Sequence, residues 1–528
     1  MIKVCQLRPR LGDVSYNLSL ILKEISQSND EMIIFPELFL LGYPPTDDFN
    51  YQELKLEITS SISKIVSLTQ SSTRLVIVGT PFFDGAHWRN AALAISNGQI
   101  IHRHFKVCLP NYDIFNDTRY FVSGHDVSSF TWKDQRLSLL ICEDIWANIN
   151  QEHYELDPVL ALKNQNVDFV IHITASPFEI DKLEQRKKQL IRVVKTLEAN
   201  VISVNQVGGF NDILFDGQSL LMNKKAIIID QCPAFVETSQ IMTMNEVKPV
   251  EAQSRESLIL DAITYGLKQY MAHAGFSSVL IGCSGGIDSA LVAACAVHAL
   301  GPKQVVLVTL PSLYNSEETK NDAYKMAENL GCKLIHQSIE TYRQQMESDM
   351  TKTLSLALSD VTKQNIQSRL RGLMLMTISN QLSSLLLTTG NKSELAMGYA
   401  TLYGDMNGGL NIIGDLFKTD VVRLANFINQ KNHWIPESII QRPPSAELAP
   451  DQRDDDTLPA YDRLDKILEQ RIIKEFSLNQ LLELNDKQDV YLVLKRLMVN
   501  EFKRFQSPPI IKLSSKAFGR GWQFPLIR

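Results

Sequence analysis

The sequence predicts an α/β protein of two domains, and three observations carry that prediction. Short, continuous, β-branched runs alternate with amphipathic stretches through the first half. A strand, a glycine-rich turn, an apolar helix and a second strand follow one another at Val279–Leu310. Between these regions the segment Val247–Leu258 is polar, holds a proline and keeps no period. Runs covered on both faces read as continuous apolar strands, and a strand–helix–strand unit implies a parallel, Rossmann-like sheet. The expected division is a first domain over 1–246, a linker over 247–257 and a second domain over 258–528.

In the first domain the expected strands are Ile2–Leu7, Met32–Phe35, Leu75–Gly79, Ala91–Ile95, Leu137–Cys142, Phe169–Ile173 and Val201–Asn205. Leu18–Ser28 and Lys182–Leu197 have helical spacing. In the second, helical spacing resumes at Leu258–His273. The strand Val279–Cys283, the helix Ala290–Leu300 and the strand Val305–Leu310 follow. The last ~80 residues read as helical and charged, ending in a tail punctuated by proline and glycine.

Composition narrows the function. The 528 residues are 44% hydrophobic and 21% charged, ordinary for a water-soluble chain. A net charge of −6 argues against a broad surface for nucleic acid. The seven cysteines are dispersed, without a CxxC pair, and fit free thiols in a reducing compartment. No apolar run approaches the ~20 residues that cross a bilayer, and the first residues do not read as a secretory signal. The expectation is a soluble, cytoplasmic protein with no membrane partner.

Three residues of the first half follow or end buried strands: Glu37 after MIIFP, Lys106 in HRHFKVCLP, and Cys142 at the end of RLSLLIC. These are the types that covalent amide cleavage needs. A thiolate is the nucleophile, an ammonium favours the thiolate and stabilises the oxyanion, and a carboxylate moves protons. His102 and His104 read as surface polar residues of a strand.

In the second half, Ser284-Gly285-Gly286-Ile287-Asp288-Ser289 lies between strand and helix. Its glycines admit close backbone approach, and the helix start offers N–H groups to phosphate. No lysine follows, so it is not the loop that grips a γ-phosphate in GxxxxGK[ST] proteins. Further on, Leu387–Glu394 (LTTGNKSE) supplies Thr389, a cation in Lys392 and a second carboxylate in Glu394, with Ser393 as an alternative helix cap. Asn365 and Arg369 stand four apart on an expected helix and share a face.

The runs FPELFLLGYPP, KVCLPNY, ICEDIW and ASPF, in that order, resemble the nitrilase-like glutaminase superfamily over roughly residues 1–244. The resemblance implies an α-β-β-α sandwich, with Glu37 as base, Lys106 as stabilising cation and Cys142 as nucleophile. Asn205–Ser219 (NQVGGFNDILFDGQS) narrows it to the amidase domains fused to NAD synthetases. These imply glutamine-binding roles for Tyr112, Ser176 and Lys182. The chain departs from the family's pattern in two places. Asp117 stands where a second glutamate is common, and Asp181 precedes Lys182 where glycine is common.

SGGIDS resembles the PP-loop of ATP pyrophosphatases. GYATLYGD (Gly398–Asp405), RPPSAEL (Arg442–Leu448), Asp454–Asp456, YDRLD (Tyr461–Asp465) and the tail SSKAFGRG (Ser514–Gly521) resemble NAD synthetases of the long, glutamine-dependent form. The resemblance implies ATP at Ser284–Ser289 and Thr389, and Mg²⁺ on Asp288 and Glu394. Deamido-NAD would lie near Asn365, Arg369, Glu394, Asp405 and Lys418, the last of these touching phosphate. It further implies a homodimer or larger homo-oligomer. Two other readings fit the same motifs: a different PP-loop amidotransferase, or an ammonia-dependent synthetase whose first domain is catalytically inert.

Overall fold

The computed structural model describes residues 1–149, 154–249, 253–443, 445, 447–449 and 458–526. Asp454–Asp456, and Pro444 and Ala446 of the RPPSAEL run, lie outside the described residues. Backbone packing divides the chain into two units, Met1–Gln253 and Ser254–Arg528.

The first unit contains β1 (Ile2–Gln6), β2 (Met32–Ile34), β3 (Leu75–Phe83), β4 (Trp88–Ser96), β5 (Gln99–Phe105), β6 (Ser129–Trp132), β7 (Gln135–Ile141), β8 (Phe169–Thr174) and β9 (Asn200–Asn205). It is completed by β10 (Val207–Phe210), β11 (Ile213–Asp216), β12 (Leu220–Met222), β13 (Ile228–Gln231) and β14 (Thr238–Met242). Two six-stranded sheets result, in the orders β14-β1-β2-β3-β4-β5 and β13-β12-β9-β8-β7-β6. Each has a parallel centre, β1-β2-β3 or β7-β8-β9, flanked by antiparallel strands.

Burial explains the layering. Val4, Ile34, Ile77, Leu139, Ile171 and Ile202 join side chains of both sheets in one apolar cluster. The opposite face of the first sheet packs on helices Val14–Gln27 and Gln52–Leu68, and that of the second on helix Lys182–Leu197. Helix, sheet, sheet and helix thus stack as an α-β-β-α sandwich, with both sheets buried on two faces. Each expected strand forms within one to four residues of its expected ends. The helix Gln52–Leu68 and several short edge strands carry too little periodicity to be read in advance.

The second unit opens with helix Arg255–Ala274, three residues ahead of the periodic stretch, because the Ser254 hydroxyl caps Ser257 N at 3.1 Å. Its sheet is β15 (Val279–Gly282), β16 (Val305–Thr309), β17 (Lys333–His336), β18 (Leu385–Thr388) and β19 (Leu410–Asn411). The order is β17-β16-β15-β18-β19, and every pairing is parallel. The chain winds outward from β15 in one direction, then returns to place β18 on its other side. That reversal opens a crevice beyond the carboxyl ends of β15 and β18, where ligands of such sheets bind. The C-terminal helices Tyr461–Leu468, Leu478–Leu484 and Lys487–Val499 share an apolar core with helix Lys392–Met397.

Candidate functional site

In the first unit the three sequence-predicted residues converge. Glu37 leaves β2 on a turn pressed against β3. A Cβ at Gly79 would lie 2.2 Å from Pro36 O and 2.5 Å from Leu38 N, so only glycine lets that turn close. Lys106 follows β5. Its ammonium donates to Glu37 Oε1 at 2.8 Å and to Asp117 Oδ2 at 2.7 Å, and the side chains of all three are buried. Asn90 Nδ2 donates to Glu37 Oε1 (2.8 Å) and Ala175 N to Glu37 Oε2 (2.9 Å). Tyr43 OH donates to Asp117 Oδ1 (2.9 Å). The shorter Asp117 therefore does reach Lys106.

Cys142 sits immediately past β7 at φ +42°, a left-handed conformation for a residue with a Cβ. Such strain costs about 1–3 kcal/mol and gathers at functional turns. Lys106 acts on the Cys142 thiol in the expected direction, toward the thiolate, but is outweighed. Burial raises the thiol and Glu37 raises it further, while Lys106 lowers it without prevailing. Glu37 is itself raised by burial, against the pull of Lys106. For Lys106 burial acts downward, but Asp117 and Glu37 outweigh it and the ammonium stays charged. A protonated thiol within the influence of a carboxylate of raised pKa is an arrangement that suits proton transfer from a nucleophile to a base.

Tyr112, half exposed at the rim, donates its OH to Glu143 Oε1 at 2.9 Å, and Tyr154 OH does so at 3.3 Å. Glu143, buried beside the nucleophile, was not singled out in the sequence, although its place in ICEDIW next to Cys142 was a signal. Ser176 is buried, and its N–H donates to Asn205 Oδ1 at 2.9 Å. Lys182 Nζ lies 5.0 Å above the Trp146 ring and 3.7 Å from Glu179. The preceding Asp181 has φ +71°, which accounts for glycine being common there. His104 is not a surface residue. It is buried, because this edge of the first sheet packs on β7, and its Nε2 lies 2.8 Å from Asp144 Oδ2. His102 stacks on Phe130 with centroids 4.5 Å apart.

In the second unit the crevice is a cavity of about 550 Å³ walled by Ser284–Ser289, Thr389, Asn365, Glu394, Asp405 and Lys418. Gly285 has φ +82°, and a Cβ there would meet Thr319 O at 2.4 Å. Ser284 and Ser289 hydroxyls lie 3.1 Å apart at the start of helix Ile287–Leu300. Asp288 accepts from Asn391 Nδ2 at 2.9 Å and from the Lys418 ammonium, which is also 3.4 Å from Glu394. Two carboxylates on one ammonium, open to a phosphate-sized cavity, offer the hard oxygen donors that suit Mg²⁺. Among the described residues no group of three or more acidic, histidine or cysteine ligands exists, so solvent or phosphate oxygens would complete the shell.

Two expectations fail. Arg369 does not line the cavity: it is exposed and donates to Leu402 O at 3.2 Å. The cavity face of helix Asp360–Leu382 runs through Asn365, Ser368, Gly372 and Leu375, at steps of three and four, and Arg369 falls at its edge. Lys392 turns away and is fully buried. It binds Asp415 Oδ1 at 2.6 Å and Ser514 Oγ at 2.9 Å. Asn391, and not Ser393, caps that helix. Two further cations that line the cavity beside Lys418 were missed. Arg371 donates to Leu310 O (3.0 Å) and Asn315 Oδ1 (3.1 Å), and burial lowers its pKa to about 10. Lys503 donates to Gly398 O and Ala400 O, both at 2.7 Å. Neither stands at a spacing that marks a site.

A carbon-nitrogen hydrolase family model matches residues 2–251, and an NAD synthase family model matches residues 259–507. A glutamine-dependent NAD(+) synthetase of Synechocystis sp. is 35% identical over 547 aligned residues, covering 99% of this chain and 98% of that protein. Its namesake from Acinetobacter baylyi is 34% identical over 543, covering 100% and 98%. A solved glutamine-dependent NAD+ synthetase from Acinetobacter baumannii, in complex with adenosine diphosphate, superposes with a TM-score of 0.77 at 32% identity, covering 99% and 98%.

Proposed function

This chain belongs to the family of glutamine-dependent NAD(+) synthetases, and from that premise we propose that it converts deamido-NAD, ATP, glutamine and water to NAD, AMP, pyrophosphate and glutamate. The observation that carries the reading is the buried Lys106, held between Glu37 and Asp117 beside the strained Cys142 turn.

In the first unit Glu37 takes the Cys142 proton as sulfur attacks the glutamine amide carbon. Lys106 stabilises the oxyanion. Collapse expels ammonia, to which Glu37 returns the proton, and leaves a thioester. Glu37 then activates water, and glutamate departs. Glu143, steadied by Tyr112 and Tyr154, is the anion placed to receive the α-ammonium of glutamine. Lys182 and Ser176 complete the glutamine site.

In the second unit the nicotinate carboxylate of deamido-NAD attacks the α-phosphorus of ATP and pyrophosphate leaves. Ammonia then attacks the acyl adenylate and AMP leaves. Ser284–Ser289 and Thr389 cradle the nucleotide. Lys418, Arg371 and Lys503 face phosphate charge, and Asn365 and Asp405 face the nicotinate-bearing substrate. Asp288 and Glu394 would hold Mg²⁺, which supplies charge neutralisation on the phosphates when bound. We place the protein in the cytoplasm as a homo-oligomer; no helix among the described residues is long and apolar enough to cross a membrane.

The test is a coupled assay with glutamine, ATP, Mg²⁺ and deamido-NAD, read as NAD formed. AMP formation should require deamido-NAD. AMP released equally well with a different carboxylate or a nucleotide base would point instead to another PP-loop amidotransferase.

A further inference from the structure

Asp144 stands two residues past the nucleophile and touches no part of the Glu37–Lys106–Asp117 cluster, yet its side chain is fully buried. It accepts four hydrogen bonds, two at each oxygen. Oδ2 receives Ile141 N at 2.9 Å and lies 2.8 Å from His104 Nε2. Oδ1 receives Val107 N and Cys108 N, both at 3.0 Å. The acceptor capacity of the carboxylate is thus filled.

The four donors come from only two places. Ile141 N is the last N–H before Cys142, so the carboxylate reaches back across the left-handed nucleophile turn and closes it. Val107 N and Cys108 N directly follow Lys106, and His104 lies two residues before it on β5. One carboxylate therefore ties the segment that carries the nucleophile to the segment that carries the cation. His104 is the only side chain among the four donors. With Asp144 ionised, the short contact requires a proton on Nε2.

We propose that His104 and Asp144 are positioning residues for the amidase reaction, fixing the Cys142 turn against the strand end that bears Lys106 and so governing turnover rather than glutamine binding. The inference rests on the assignment of Cys142 as nucleophile. Glu143, Tyr112 and Lys182, which would hold glutamine, have partners of their own: Tyr112 and Tyr154 on Glu143, and Glu179 and the Trp146 ring beside Lys182. Displacing a nucleophile by about 1 Å costs on the order of 100-fold in rate.

The experiment uses the full chain and measures glutamine hydrolysis and thermal unfolding for His104→Ala, His104→Gln, Asp144→Asn and Cys142→Ala. For His104→Ala the expected result is a kcat lower by about 10- to 100-fold with KM within about twofold, alongside a lower melting temperature from the cavity and the Asp144 oxygen left with one donor fewer. His104→Gln should recover most of the activity, because its amide N–H replaces the Nε2 donor. Asp144→Asn, which sets an amide N–H₂ against donors, should be the slowest of the three. If His104→Ala does not fold, His104→Met fills the volume without a donor and takes its place. Unchanged kcat in the donor-less variant overturns the proposal. So does a loss in which KM rises as kcat falls and His104→Gln rescues nothing. Hydrolysis surviving in Cys142→Ala would instead remove the nucleophile assignment itself. An inactive Cys142→Ala beside a fully active His104→Ala removes the positioning role alone.

Discussion

Lys106 is one ammonium between two carboxylates, all three side chains shielded from bulk solvent. Burial, with Asp117 adding to it against the pull of Lys106, raises Glu37 above the ordinary carboxylate range, and burial together with Glu37 keeps Cys142 a thiol. A general base must be unprotonated to act, so its raised pKa sets the acid limb. The kcat/KM of glutamine hydrolysis should fall at a pH above that of an ordinary glutamate, and a pH profile of the wild-type chain checks this. Asp117→Asn removes one of the two negative charges. Glu37 should then titrate lower, moving that limb to more acid pH, and a limb that stays in place would show Asp117 to be electrostatically silent. Cys142→Ala should abolish glutamine-supported NAD synthesis and leave ammonia-supported synthesis, measured side by side. Behind the nucleophile, His172 bonds Ser203 and the Cys142 carbonyl, and burial lowers its pKa to about 4. The unfolded chain therefore binds a proton that the fold refuses. Stability from this source is complete above the unfolded value of about 6.5 and is lost as pH falls toward 4. Denaturation curves should show less acid sensitivity in that window for His172→Asn.

At the scale of elements, one turn and one late segment do the placing in the second unit. The Gly285 turn exists because its φ is positive and Thr319 O fills the space of a Cβ. Gly285→Ala should depress NAD synthesis equally with glutamine and with ammonia while glutamine hydrolysis persists, since the phosphate loop serves both nitrogen sources. The C-terminal run Leu513-Ser514 donates both backbone N–H groups to Asp415 Oδ2, at 2.7 and 2.6 Å, and Asp415 Oδ1 holds Lys392. A buried ammonium left without its carboxylate costs about 3–5 kcal/mol. Asp415→Ala should lose stability of that order in denaturant unfolding of the second unit. Lys392→Met, which removes the cation as well as the need to pair it, should lose less.

For the whole molecule, the argument concerns nitrogen. Ammonia at neutral pH is mostly protonated and then cannot attack an acyl adenylate. One chain that both releases ammonia and consumes it gains if the ammonia does not first equilibrate with solvent. With unlabelled glutamine and an excess of ¹⁵N-ammonium, NAD should carry mainly unlabelled amide nitrogen. Label incorporated in proportion to free ammonium would exclude a shielded transfer. Both strand sets needed for these two chemistries were legible in the residues, because a strand buried on both faces must be continuously apolar, and Ile33, Ile77, Ile171 and Ile281 lie in such runs. Glu37, Cys142 and the serine–glycine loop were legible for a related reason: each lies where an apolar run ends, and Lys106, after the polar stretch HRHF, was legible only through the KVCLPNY resemblance.

What remained hidden depends on partners distant in the chain. Nothing local distinguishes Lys392, buried on Asp415, from Lys418, which faces the cavity, or Arg369, spent on a surface carbonyl, from Arg371 in the wall. His104 reads as a polar strand residue until Asp144, forty positions on, is packed against it. The amino-acid order by itself determined the two α/β layers, the nucleophile turn and the phosphate loop, since hydrophobic period and turn chemistry are local properties. Only the tertiary structure decided which charges are neutralised, which are exposed to substrate and which proton each buried group keeps, because pairing and desolvation arise when distant segments meet.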